Sequence, residues 1–114
     1  MKTPPKMMIT HTDNDPRKLS REALDEIFRD IGVSVSSSTV TRLCLADLLM
    51  SLATSKLGPK LGLVKYRQYN ADVATMRLLN TCIEDGVVNK KKLNDMILEQ
   101  IRVDFNKPFT VRLY

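Results

Sequence analysis

The sequence predicts an all-α protein: a compact four-helix bundle with helices over about residues 20–31, 39–55, 71–85 and 90–104. An extended N-terminal arm (residues 1–18) precedes the helical domain (19–104), and a short extended tail (105–114) follows it. Three observations lead there. Apolar residues recur at helical spacing, as Leu24, Ile27, Phe28 and Ile31 and again as Leu93, Met96, Ile97 and Ile101. Residues that start and stop helices flank these runs: Ser20 before the first, Gly32 after it, Asn89 before the last. The composition is aliphatic, 43% hydrophobic but only 5% aromatic with no Trp, so the core must be built from Leu, Ile, Val and the six Met.

The arm carries three of the five prolines and the polar run Thr10 to Asp15, with no period of either kind. In the first helix Glu22, Asp25, Glu26 and Asp30 form the wet side. Four serines between Val33 and Ser38 read as a linker, and Ser36, Ser37 or Ser38 is placed to cap the second helix. That helix is apolar over more than one face, through Val40, Leu43, Cys44, Leu45, Leu48, Leu49, Met50 and Leu52, which predicts the most buried helix or one with surplus surface for a partner. Residues 56–69, with Gly58, Pro59 and Gly62, read as a long loop. The third helix starts near Asn70 or Asp72, presents Val73, Met76, Leu79 and Ile83 on one face, and ends at Gly86. In the tail Phe109, Val111 and Leu113 alternate, which suits a short strand or docking segment.

A chain of 114 residues allows one domain. Two cysteines exclude a secreted disulfide framework; Cys44 and Cys82 read as buried thiols, with a disulfide between them as the alternative. There is no signal-peptide pattern and no run near the roughly 18 apolar residues of a membrane span. The expected location is therefore cytoplasmic or nucleoid-associated, neither secreted nor in a membrane. Catalysis finds little support. The single histidine, His11, lies in the arm away from any evident nucleophile. His11, Asp13 and Asp15 lack the glycine and distal Glu of a calcium loop, and no phosphate-binding glycine motif occurs. No cofactor, metal or enzymatic activity is expected.

The net charge is +5, unevenly spread. Residues 56–70 hold Lys56, Lys60, Lys65 and Arg67 without an acid, beside Tyr66 and Tyr69. Lysines and arginines neutralise phosphates, tyrosine rings stack on bases, and glycines let a backbone come close. A second basic run, Lys90-Lys91-Lys92, stands in the first turn of the last helix, where positive charge opposes the helix dipole. Residues 23–43 resemble the helix-turn-helix of DNA-reading repressors, with Ile31-Gly32-Val33-Ser34 at the turn and Thr39, Thr41 and Arg42 in the second helix. In that likeness Ser38, Thr39, Thr41 and Arg42 reach the groove, although Val40 and Leu43 come about two residues late for a tight motif. A second pair, around Gly86-Val87 in residues 82–96, has Leu93 and Met96 one residue late. Over roughly residues 35–100, the serine cluster, the apolar helix and Leu78-Leu79 leading to Gly86-Val87-Val88-Asn89 also resemble the small helical replicase cofactor of coronaviruses. No diagnostic motif accompanies that parallel and no family is assigned from it.

The function expected from these signals is a small non-enzymatic nucleic-acid-associated protein, a regulator or a replication or transcription accessory factor. The contacts would be Lys56, Lys60, Lys65, Tyr66, Arg67, Arg42, Thr39, Thr41, Lys90, Lys91 and Lys92. The alternative is a protein-interaction or assembly subunit, or a homodimer, of a phage or viral complex or another large one. It would dock through the arm, the tail and the apolar second helix, using Leu45, Leu49, Met50, Phe109 and Val111.

Overall fold

The computed structural model describes residues 14–35, 40–67 and 71–105, with the backbone alone at 104 and 105. The protein is mostly helical, as expected, with five α-helices and one small two-stranded sheet among the described residues. The helices are α1 (Arg21–Asp30), α2 (Arg42–Thr54), α3 (Leu57–Leu61), α4 (Val73–Asn80) and α5 (Lys90–Phe105). The strands are β1 (Ile83–Glu84) and β2 (Val87–Val88), between α4 and α5.

Helix α1 begins and ends as its sequence specifies. The Ser20 hydroxyl accepts the Ala23 N–H at 3.1 Å. At the other end Val33 N–H reaches Phe28 O and Gly32 N–H reaches Arg29 O, the paired bonds of a Schellman cap. The cap turns the chain inward, and Val33 and Val35 are both buried. Leu24, Phe28 and Ile31 are buried and Ile27 packs at the edge, so the spacing read from the sequence is the core face.

Helix α2 lies at the centre. It packs on α1, α3, α4, α5, the 3-10 turn Val64–Tyr66 and a second 3-10 turn, Pro16–Lys18. Nine of its residues are buried, including Leu45, Leu49 and Met50. This corrects the reading of those three as docking residues. A helix apolar on several sides needs partners on several sides, and this domain supplies them. Leu43, 60% exposed, is the large apolar residue of α2 that faces out. Phe109 and Val111 lie outside the described residues. The N-cap of α2 is Thr41, whose Oγ1 accepts the Cys44 N–H at 3.0 Å; Ser36–Ser38 lie outside the description.

Three further expectations are corrected. Residues 14–18, assigned to the arm, form the Pro16–Lys18 turn against α2, with Pro16 fully buried. Residues 56–69 are not an open loop, since α3 and the Val64–Tyr66 turn occupy 57–66. Helix α4 stops at Asn80, and residues 83–88 form an antiparallel hairpin with Ile83 opposite Val88 and Glu84 opposite Val87. Asp85 (φ 53°) and Gly86 (φ 77°) make its two-residue turn. Two consecutive left-handed residues define the turn whose twist suits a tight hairpin, and Asp-Gly is one of the pairs that adopt it readily. Because the helix is short, its buried residues are Thr75 and Leu79, with Cys82 buried just beyond its end, while Val73 is 55% exposed. Asp72 caps it, accepting Ala74 N–H at 3.1 Å and the Thr75 hydroxyl at 2.8 Å.

Helix α5 starts at the expected cap: Asn89 Oδ1 accepts the Lys92 N–H at 3.0 Å. It buries Leu93, Ile97 and Ile101. Cys44 and Cys82 are free thiols and buried, and burial pushes the Cys82 thiol above its ordinary pKa. Both are expected to resist alkylation at neutral pH until denaturant unfolds the domain, as counted by mass spectrometry.

The Pro16–Lys18 turn gives a pH prediction. Burial alone would raise the Asp15 carboxyl, but hydrogen bonds from the Arg17 side chain and backbone, aided by the charges of Arg17 and Lys18, hold it below the usual range. Asp15→Ala should cost about 1 kcal/mol at neutral pH, through the lost cap. A depressed carboxylate contributes its stability above the unfolded pKa and loses it as pH falls through the folded one. The gap between wild type and variant should therefore narrow below about pH 4 in urea titrations.

Candidate nucleic-acid interface

Lys56, Lys60, Lys65 and Arg67 stand at exposed positions, yet several of them also hold the fold. Lys56 sits between α2 and α3, where its backbone N–H donates to Asn80 Oδ1 at 2.8 Å. Lys60, on α3, reaches the hairpin turn, with Nζ donating to Gly86 O at 2.9 Å. Lys65 places its ammonium 5.3 Å from the centre of the Tyr66 ring. Tyr66 is half-buried against the core, so its ring edges the domain and is not an open platform for a base. Arg67 Nε donates to Ala53 O at 2.9 Å and so ties the Val64–Tyr66 turn to the end of α2.

The residues of the first helix pair are also structural. Arg42 donates to the carbonyls of Arg17, at 2.6 Å, and Leu19, at 3.2 Å, and Thr41 is the α2 cap. Thr39 and Ser38 lie outside the described residues. Residues 31–41 separate α1 from α2, and Val33 and Val35 within that stretch are buried. The tight turn of about 3–4 residues that a DNA-reading pair needs is therefore not formed here. The second proposed pair is interrupted by the hairpin. Among the described residues, neither segment shows helix-turn-helix geometry.

In the α5 run, Lys90 Nζ donates to Ile31 O at 3.2 Å, just past the end of α1. Lys91 pairs with Asp95 at 3.0 Å, one turn on, and both are exposed. Lys92 lies 3.9 Å from Glu84 on β1. The placement explains lysines in an otherwise unfavourable first turn. Lys90 answers the carbonyl end of α1, and Lys92 answers a strand carboxylate.

The hairpin is the meeting point of the two basic segments. Lys60 approaches it at Gly86, Lys92 at Glu84, and Lys90 follows β2 with one residue between. Lys60 and Lys90 line one cleft there with Asp30. Two basic runs thirty residues apart in sequence thus converge on one short element. The hairpin and Asp30 were missed from the sequence, although Asp85-Gly86 between Ile83-Glu84 and Val87-Val88 is a hairpin signal. Among the described residues no group of acids, histidines and cysteines could hold a metal ion, and no helix is long and apolar enough to cross a membrane. Comparison with protein-family models, curated proteins and solved structures found no match for this chain.

Proposed function

We propose that this chain is a small non-enzymatic nucleic-acid-associated protein, an accessory factor or regulator of cytoplasmic or nucleoid location. In this reading it holds phosphates with lysines gathered around the hairpin, while the longer helices act as a bundle-like scaffold. The observation that carries the reading is the convergence of Lys60 with Lys90 and Lys92 at residues 84–88 in a chain of net charge +5. Lys56, Lys65 and Lys91 extend this basic supply from exposed positions. Recognition would be mainly of the phosphate backbone, because Tyr66 is packed and Arg42, Thr41 and Arg67 serve the fold.

The test is binding of fluorescent mixed-sequence DNA duplex and single-stranded RNA across salt. If about three phosphates are neutralised on duplex, affinity should fall roughly fortyfold between about 50 and 200 mM salt. The variant should spare Lys60 and Arg67, whose side chains bond the fold. Lys65→Glu/Lys91→Glu/Lys92→Glu should keep the native circular dichroism and bind at least about tenfold more weakly. Absence of wild-type binding at low salt would end the proposal.

A second reading, a protein-assembly subunit, rests on exposed apolar residues: Leu43 at 60%, and Val73 and Leu78 on α4 at 55% and 46%. It predicts an association that survives high salt and is insensitive to the triple charge reversal.

A further inference from the structure

The cleft beside the hairpin has the make-up of a small-ligand site. It is an open cleft of about 520 Å³ between the end of α1, α3 and the hairpin, a volume within the roughly 300–1,000 Å³ of small-molecule pockets. Leu61, Val87 and Val88 supply apolar lining, and Lys60, Lys90 and Asp30 supply the charge. Both ammonium groups are held at the cleft itself. Lys60 Nζ bonds the carbonyl of Gly86, and Lys90 Nζ bonds that of Ile31, both lining residues. An ammonium has three donors, so each lysine keeps further N–H groups for a ligand after its carbonyl bond is made. Anchoring also means that little side-chain freedom remains to be lost when an anion arrives. Two cations against one carboxylate favour a negative ligand, and the apolar lining favours one with a hydrocarbon body.

We propose that this cleft binds a small organic anion, its carboxylate or phosphate between Lys60 and Lys90 and its apolar part against Leu61, Val87 and Val88. The site does not depend on the nucleic-acid reading, since its ligand is a free molecule that needs the apolar lining as well as charge. A polymer held by phosphate contacts alone would not need that lining.

Methyl-labelled protein titrated with hexanoate, with hexyl phosphate and with inorganic phosphate tests this. Saturable shifts of the Leu61, Val87 and Val88 methyls are expected below about 10 mM for at least one hexyl probe. The hexyl probe that binds identifies the head group, and inorganic phosphate should leave the methyls unmoved. Lys60→Gln/Lys90→Gln should weaken the probe about tenfold. Because that variant loses two fold contacts, Asp30→Asn provides a second test. It changes an exposed residue, removes the one carboxylate of the cleft, and should tighten the anion about twofold. Equal shifts with inorganic phosphate, no shifts with either hexyl probe, or weaker binding in Asp30→Asn would each overturn the proposal.

Discussion

Replacing Gly58 with alanine should destabilise the domain by about 3 kcal/mol, the upper end of the usual cost of overpacking. Gly58, the second residue of α3, lies directly against the end of α2. A Cβ added there would stand 2.0 Å from the carbonyl oxygen of Ala53 and 2.8 Å from its carbon. The obstacle is backbone, so no rotamer change relieves it. The same Ala53 oxygen accepts the Arg67 Nε bond, so displacing it also loosens the Val64–Tyr66 turn. Gly62→Ala separates sterics from conformation. Gly62 has φ 73° but nothing within 4 Å of an added Cβ, so alanine there should cost only about 1 kcal/mol of left-handed strain. Urea unfolding of both variants checks the pair, and equal losses would contradict the close approach of α3 to α2.

Phe28→Ala should cost about 3–5 kcal/mol, the range for emptying a buried aromatic site. Phe28 is fully buried, and its carbonyl also accepts the Val33 N–H that closes α1. Only toward the lower end of the usual total of about 5–15 kcal/mol would such a loss leave an appreciable unfolded fraction at 37 °C. On the opposite side of α1, Glu22→Ala should change stability by no more than about 0.5 kcal/mol. It removes one member of the like-charged Glu22–Glu26 pair and touches no core residue. Thermal melts of the two variants check this contrast.

The two clearest helices, α1 and α5, are legible because local signals agree: a cap and an apolar period in both, and a terminator as well in α1. The centrality of α2 was also legible from its many-sided apolar surface. What such a surface cannot reveal is whether its partners lie in the same chain, and Leu45, Leu49 and Met50 proved to be core. The 83–88 hairpin was missed because Val73, Met76, Leu79 and Ile83 fit a helical period over a window that straddles the end of α4. Gly86 alone reads as a helix stop, but paired with Asp85 it marks a strand turn. Basic residues were visible in the sequence as charge, but not their second roles. That Lys60, Lys90, Arg42 and Arg67 bond carbonyls on other elements depends on tertiary placement, and a local pattern carries none of it.

Under the proposed function, nucleic acid would meet the domain at the hairpin and its surrounding lysines. The most direct measurement is a backbone amide shift map of the labelled protein at low salt, recorded while a short mixed-sequence duplex and then a single strand are added. Saturable shifts are expected at Lys56, Lys65, residues 84–88 and Lys90 to Lys92, shrinking as salt is raised. Shifts centred on the exposed face of α4 around Val73 and Leu78, or none with either nucleic acid, would contradict it.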